Sequence, residues 1–444
     1  PLSSAQTGIW FYQQIHKDSK YTVMAYADIS NKKQKDHISI EKLGKAIHEV
    51  INSSAIFKLQ FCVGEDGVPF QKLTSEWEEK ANLEVVDVTG DAENQVKTLS
   101  NYMFSVGSER LYRFIYLREN PYQGKLVILI HHLLVDEATM EVIYNDIIDN
   151  YISCEAGERK AERARSDRYL NYCVEKSKEV YEKEILKKDF TLVTEKLLGE
   201  IKEATYETGI VNWRKLQIVP GTEDKLKVIS SKLKSTLFAT VYGIYMAALY
   251  LTYADENVIT TTTFSDRMKE EDAWEYGMYV YNHLISCKIH PTDSLKDVVG
   301  QVTKSVQATF EHPILPVSDA IRELGLPSKY LKLINNFVFT YVDSDRKERT
   351  CQDTTFYPLN IDKKVGDMNV NLLVEKINGS FVGNLYYSNQ VASDDMDRLA
   401  MNFEQLCNSC DTVCETELLD LVKVQEDDSM EETESLMEEL GDLF

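Results

Sequence analysis

Two adjacent histidines, His131 and His132, and an aspartate four residues further on, Asp136, are the side chains of this sequence best placed to do chemistry. Imidazole titrates at about 6.5, so it can take up and release protons near neutral pH. The pair follows an apolar run, Leu126, Val127, Ile128, Leu129 and Ile130, which reads as a buried strand ending at the histidines. Neighbouring side chains on a strand point to opposite faces, so one histidine faces any given cavity. After Asp136 come Glu137, Ala138 and Thr139, then a helix-like stretch from Met140 to Tyr151. A bare histidine pair at a strand end is most simply structural. Strand, pair, spaced aspartate and helix in succession point instead to a proton-transfer site.

The elements that must hold such a site are legible on either side of it. Strands are expected at 22–29, 56–63, 68–73, 83–88, 110–119 and 125–130, with helices at 41–54 and 92–104. Residues 152–187, rich in Glu, Lys and Arg, suit an exposed helical connection. Beyond them the mixture repeats, with an apolar helix at 236–254 and a strand at 257–264. Helix-like stretches at 294–310 and 316–325 follow, then strands at 337–343, 369–377 and 380–388 and a last helix at 394–414. The expectation is an α+β chain with a first lobe over 1–175, a second over 176–424 and a tail over 425–444.

Composition narrows the function. The 444 residues carry a formal charge of −23, which disfavours a nucleic-acid surface and favours attraction to basic partners. No run approaches the ~20 apolar residues of a membrane span, and no secretory signal opens the chain. Eight scattered cysteines do not make a disulfide scaffold, so a cytoplasmic setting is expected. Cys407, Cys410 and Cys414 lie at metal-ligand offsets but also on one helical face, and no fourth ligand follows, so packing is favoured over metal. The tail from Gln425 to Phe444 holds nine acidic and no basic residues, with Leu436, Leu440 and Leu443 at helical spacing. It is either a segment that folds on a basic docking partner or a plain acidic linker.

HHLLVDE resembles HHxxxDG, the signature of the condensation domains of nonribosomal peptide synthetases, relatives of chloramphenicol acetyltransferase and other HxxxD acyltransferases. Further segments carry the same resemblance in the family's order. SSAQTGIW, with Ser4, Ala5, Gln6 and Trp10, is similar to the opening SxAQxxxW. YLNYCVEK from Tyr169 is similar to YxDFAxW, with Asn171 in place of the aspartate. FSDRM supplies an arginine, Arg267, after a strand, and YGMYVYNHLISCKI from Tyr276 resembles IGxFVNTxxxR, matching at Gly277, Val280 and Asn282. HPILPVSDAI from His312 resembles the HxxxPF-type segment. A start so close to the opening motif suggests a domain cut from a longer polypeptide.

The resemblance implies two acetyltransferase-like lobes in a V-shaped pseudo-dimer with a central tunnel. It implies an enzyme that joins a carrier-bound acyl or peptidyl thioester to an amine, with no intrinsic cofactor. Both substrates would ride on phosphopantetheine arms of donor and acceptor carrier proteins. His132 would be the catalytic histidine and His131 a structural one facing away. Asp136 and Arg267 would pair to support the site, with Asn282 and Thr139 beside them; Thr139 is open to an oxyanion role or a helix-capping one. One departure stands out: Glu137 replaces the glycine after the aspartate, putting bulk and charge at the tunnel midpoint. It implies a cationic acceptor, a slower enzyme or lost activity. Alternative readings keep the fold with a free amine or alcohol acceptor, or make the chain a degenerate module that recruits a partner.

Overall fold

Apolar residues gather into two separate clusters, each built on one β-sheet. The computed structural model describes residues 1–15, 21–34, 36–76, 82–156, 168–178, 209–267, 269–311, 336–359, 365–366, 368–377 and 380–421. The expected helix at 316–325, the HPILPVSDAI segment, the tail 425–444 and parts of the charged stretch 152–187 lie outside these residues.

The first lobe contains β1 (Thr22–Asn31), β2 (Leu59–Val63), β3 (Pro69–Leu73), β4 (Leu83–Asp87), β5 (Tyr112–Asn120) and β6 (Gln123–His131). Its helices are α1 (Ser4–Ile15), α2 (Ile40–Asn52), α3 (Ala92–Leu99), α4 (Glu137–Ala156) and α5 (Arg168–Lys176). β6 is central, antiparallel to β1 and β5, and Leu126 to Ile130 have no exposed surface. A strand buried on both faces reads as a continuous apolar run, which is why this one is legible. The strand expected over 56–63 begins instead as a 3-10 turn, Ala55–Lys58, because the Ser54 hydroxyl accepts the Ile56 N–H (3.4 Å). The helix expected to reach 104 ends at Leu99. Nor is the charged connection wholly solvated, since Tyr169 and Cys173 of α5 are buried in the first-lobe core.

The second lobe contains β7 (Gly209–Lys215), β8 (Asn257–Ser265), β9 (Val280–Lys288), β10 (Phe337–Arg346), β13 (Val365–Gly366), β14 (Val370–Ile377) and β15 (Ser380–Ser388). They form one sheet in the order β13-β7-β15-β14-β10-β8-β9. Helices α6 (Thr222–Lys232), α7 (Leu237–Tyr253), α8 (Leu295–Glu311), α9 (Ser393–Asn408) and α10 (Cys410–Val413) complete the lobe. Every residue of α7 from Ala239 to Tyr250 is buried, which accounts for its apolar composition. Among the described residues no single helix is long and apolar enough to cross a membrane.

Two segments beyond residue 175 return to the first lobe, so the lobes are not cut cleanly at that boundary. The hairpin of β11 (Arg349–Cys351) and β12 (Thr354–Leu359) extends the first sheet, β12 pairing with β1 from Tyr26↔Leu359 to Asn31↔Thr354. Phe356 of β12 is fully buried with its ring 5.3 Å from that of Tyr151. Tyr276, Met278 and Tyr279 also join the first-lobe core. Phe356→Ala should therefore destabilise the protein by about 3–5 kcal/mol, read as a lower urea midpoint at unchanged slope.

Candidate active site

The end of β6 fixes both histidine backbones before their side chains come into play. His131 N–H donates to the Leu111 carbonyl (2.9 Å) and His132 N–H to the Tyr21 carbonyl (2.7 Å). The side chains then take different partners, His131 as the last residue of β6 and His132 as the first of the turn after it. The His131 ring is 1% exposed, and burial pushes it down to about 3, so it stays neutral. His132 as a whole is half-buried. Its Nδ1 lies 2.8 Å from the Val135 carbonyl oxygen. A carbonyl only accepts, so the ring proton sits on Nδ1 and Nε2 carries the free lone pair. Crowding by protein atoms lowers its pKa below the usual value, opposed by Asp136, the Val135 carbonyl and Glu137. The site therefore presents a neutral imidazole with one nitrogen ready to accept a proton.

Asp136 has none of its surface exposed and does not touch that ring nitrogen. Arg267, from the second lobe, grips it with both ends of its fork: Nη1 to Oδ2 (2.5 Å) and Nη2 to Oδ1 (2.9 Å). The N–H groups of Thr139 (2.8 Å) and Tyr279 (3.0 Å) occupy the remaining positions. Burial alone would push this carboxyl up; the arginine's charge and these bonds hold it below the usual carboxylate range. Because Asp136 takes the Thr139 N–H on its side chain and the Met140 N–H on its carbonyl (3.0 Å), it is itself the cap of α4. Thr139 is not the cap. Its hydroxyl donates to the Gly277 carbonyl (2.7 Å) and accepts from Arg267 Nη2 (2.6 Å) and Gly277 N–H (3.2 Å). One donor and two acceptors exhaust a hydroxyl, so none is left for an oxyanion.

Glu137, the first residue of α4, is exposed at a small cleft with Ala25, Tyr26, Met140, Tyr144 and Pro358. Asn282 sits half-buried on β9 opposite Thr263, and none of the bonds described for His132 or Asp136 reaches it. Cys407, Cys410 and Cys414 are buried in the second-lobe core, where burial pushes the Cys410 thiol up to about 11. Sequence reasoning missed the Val135 carbonyl and the backbone of Gly277 and Tyr279, because backbone partners leave no mark in residue type. Gly277 did carry a signal. A Cβ there would lie 2.2 Å from Cδ2 of Tyr169, so only glycine lets the two lobes close here.

The family model described as Condensation domain matches residues 1–431. The chain belongs to the condensation domain family. Condensation domains are acyltransferases that form amide bonds in nonribosomal peptide and hybrid polyketide–peptide assembly lines. Enniatin synthetase of Fusarium oxysporum is 21% identical over 336 residues, covering 72% of this chain and 10% of that protein. Surfactin synthase subunit 1 of Bacillus subtilis (strain 168) is 18% identical over 444 residues, covering 94% and 12%. This condensation domain thus spans roughly a tenth of the length of such relatives. Among solved structures, the first condensation domain of the calcium-dependent antibiotic synthetase superposes with a TM-score of 0.74 at 15% identity, covering 94% of this chain and 97% of that one. The condensation domain of the Monacolin K polyketide synthase MokA gives 0.73 at 12% identity, covering 94% and 98%. The fold is therefore the two-lobed, chloramphenicol-acetyltransferase-like one expected from the motifs.

Asp136 contributes stability through its lowered pKa, so the contribution is full above the ordinary carboxylate range and is lost as pH falls through the folded-state value. Asp136→Asn leaves Arg267 buried without its counter-charge and should cost about 3–5 kcal/mol at pH 7. The deficit relative to wild type should shrink in acid, as measured by chemical denaturation between pH 3 and 7.

Proposed function

We propose that this condensation domain joins a carrier-bound acyl or peptidyl thioester to an amine, with His132 accepting the amine proton. The observation that carries the reading is the lone pair on His132 Nε2, fixed by the bond from Nδ1 to the Val135 carbonyl. The amine nitrogen attacks the thioester carbonyl, and its proton passes to Nε2. Collapse of the tetrahedral adduct breaks the C–S bond, and the departing thiolate takes that proton from Nε2, which restores the neutral ring. Asp136 and Arg267 hold the loop and take no part in the transfer. Thr139 and His131 are likewise support, and Asn282 acts at most through the β8–β9 pairing. The substrates arrive on phosphopantetheine arms of donor and acceptor carrier proteins, in a cytoplasmic setting, and the acidic tail 425–444 docks a basic partner.

Reconstitution with loaded donor and acceptor carrier proteins and mass spectrometry of the product tests the assignment. His132→Ala should lower the rate by roughly 10²–10⁴-fold. Equal rates for mutant and wild type would reject the role. Because the His132 pKa lies below the usual imidazole value, the ratio of wild-type to His132→Ala rates should stay constant through neutrality and fall only in acid, below that usual value.

Glu137 favours a second point within the same reading. It is exposed and lines the cleft one residue from the Asp136 cap, where the family motif has glycine. Glu137→Gly should raise kcat/KM for a neutral carrier-bound acceptor by about tenfold, a change of ~1.4 kcal/mol. A lower or unchanged value would mean that Glu137 does not obstruct the substrate.

A further inference from the structure

The loop that carries His132 is held from one side by a single helix face. Gln6 and Gln13 lie seven residues apart on α1, two turns of helix, and so share that face. Gln6 is fully buried and works in two directions. Its Oε1 accepts the Ser3 N–H (2.9 Å) while Ser3 Oγ accepts the Gln6 N–H (3.2 Å), a reciprocal cap on the start of α1. Its Nε2 donates to the Leu133 carbonyl (2.8 Å), across 127 positions of sequence. Gln13 Oε1 lies 3.2 Å from His131 Nε2, and His131 Nδ1 lies 3.1 Å from the Leu133 nitrogen.

These contacts fix a proton arrangement. The Leu133 N–H can only donate, so His131 Nδ1 must be the bare nitrogen and Nε2 must carry the proton. That proton points at the Gln13 carbonyl oxygen, which accepts it. His132 has the opposite arrangement, its proton on Nδ1 toward Val135. Both polar backbone groups of Leu133, the residue directly after His132, are thus tied to α1. The carbonyl is tied through Gln6, and the N–H through His131 and Gln13.

We infer that Gln6 and Gln13 are positioning residues that act through Leu133 to set the orientation and tautomer of His132. Gln13 locks His131 in its Nε2-protonated form. Without that acceptor His131 can turn to the other tautomer, whose Nδ1–H would face the Leu133 N–H and drive the loop apart. Gln6 anchors the opposite side of the same peptide. The role in turnover rests on His132 being the proton acceptor, whereas the tautomer can be read without any turnover.

The test uses the full chain with ¹⁵N-labelled histidine, the His131 and His132 resonances being assigned from His131→Asn and His132→Ala spectra. In the wild type His132 should show a protonated Nδ1 and His131 a protonated Nε2. Gln13→Leu should give mixed tautomers at both rings and lower kcat by about 10- to 100-fold with KM held within twofold. Gln13→Glu, which keeps an acceptor, should restore both signals. Gln6→Glu separates the clamp from folding, because glutamate preserves the cap on Ser3 but can donate to Leu133 only while protonated. Its rate should therefore acquire a descending limb with rising pH that the wild type lacks. Wild-type tautomers and kcat in Gln13→Leu, or a Gln6→Glu profile parallel to wild type, would overturn the inference. A tautomer shift in Gln13→Leu alongside a fully active His132→Ala would instead sink the catalytic reading of His132 and leave the clamp standing.

Discussion

A carboxylate with no exposed surface must be matched within the protein, and the match for Asp136 decides how the two lobes meet. Arg267 comes from the second lobe, and the Tyr279 N–H from the segment that folds back into the first. An ionised carboxylate offers about four acceptor positions, and here all are filled. The same arginine also reaches Thr139 and the Gly277 carbonyl, and its plane lies 4.4 Å from the centre of the Tyr279 ring. Geometry of this quality is what a buried ion pair needs to offset the loss of hydration. One atom is not compensated: Arg267 Nε is buried without a hydrogen-bond partner. Charge and backbone contacts at Asp136 thus join the lobes alongside the apolar packing of Tyr276, Met278, Tyr279 and Phe356 in the first-lobe core.

That engagement explains why Asp136 acts on the histidine only through its charge and makes no hydrogen bond to the ring. Four residues separate it from His132, a spacing that invites the idea of a relay, yet its oxygens are spent elsewhere and the imidazole is oriented by a backbone carbonyl. A carbonyl orients without adding charge. His132 therefore stays uncharged, with a depressed pKa and a bare Nε2. His131, neutral for the same reason of burial, adds no positive charge beside it.

Much of this is readable from residue order alone. The buried run from Leu126 to Ile130, the amphipathic α2 and the all-apolar α7 each follow one period or one composition, and the chemistry-bearing residues stand in a short ordered motif. Arg267 can be paired with Asp136 only through the family pattern, because 131 positions separate them and no local rule links them. The parts that stay hidden share a cause. Val135, Gly277 and Tyr279 act through peptide groups, which every residue has, and the β11–β12 hairpin is too short and too polar to announce a strand. Thr139 reads as a candidate cap only while Asp136, one turn earlier, is assigned to another task.

The loan of β12 to the first sheet also has a consequence for how the molecule is made. Translation delivers β1 early, but its second neighbour is not synthesised until residue 354. Throughout that interval the emerging polypeptide carries an open sheet edge and a vacant slot against Tyr151. An unfilled edge of this kind is prone to mispairing between chains. A first lobe cut off before residue 349 would therefore lack two strands of its own sheet and the ring that packs on Tyr151.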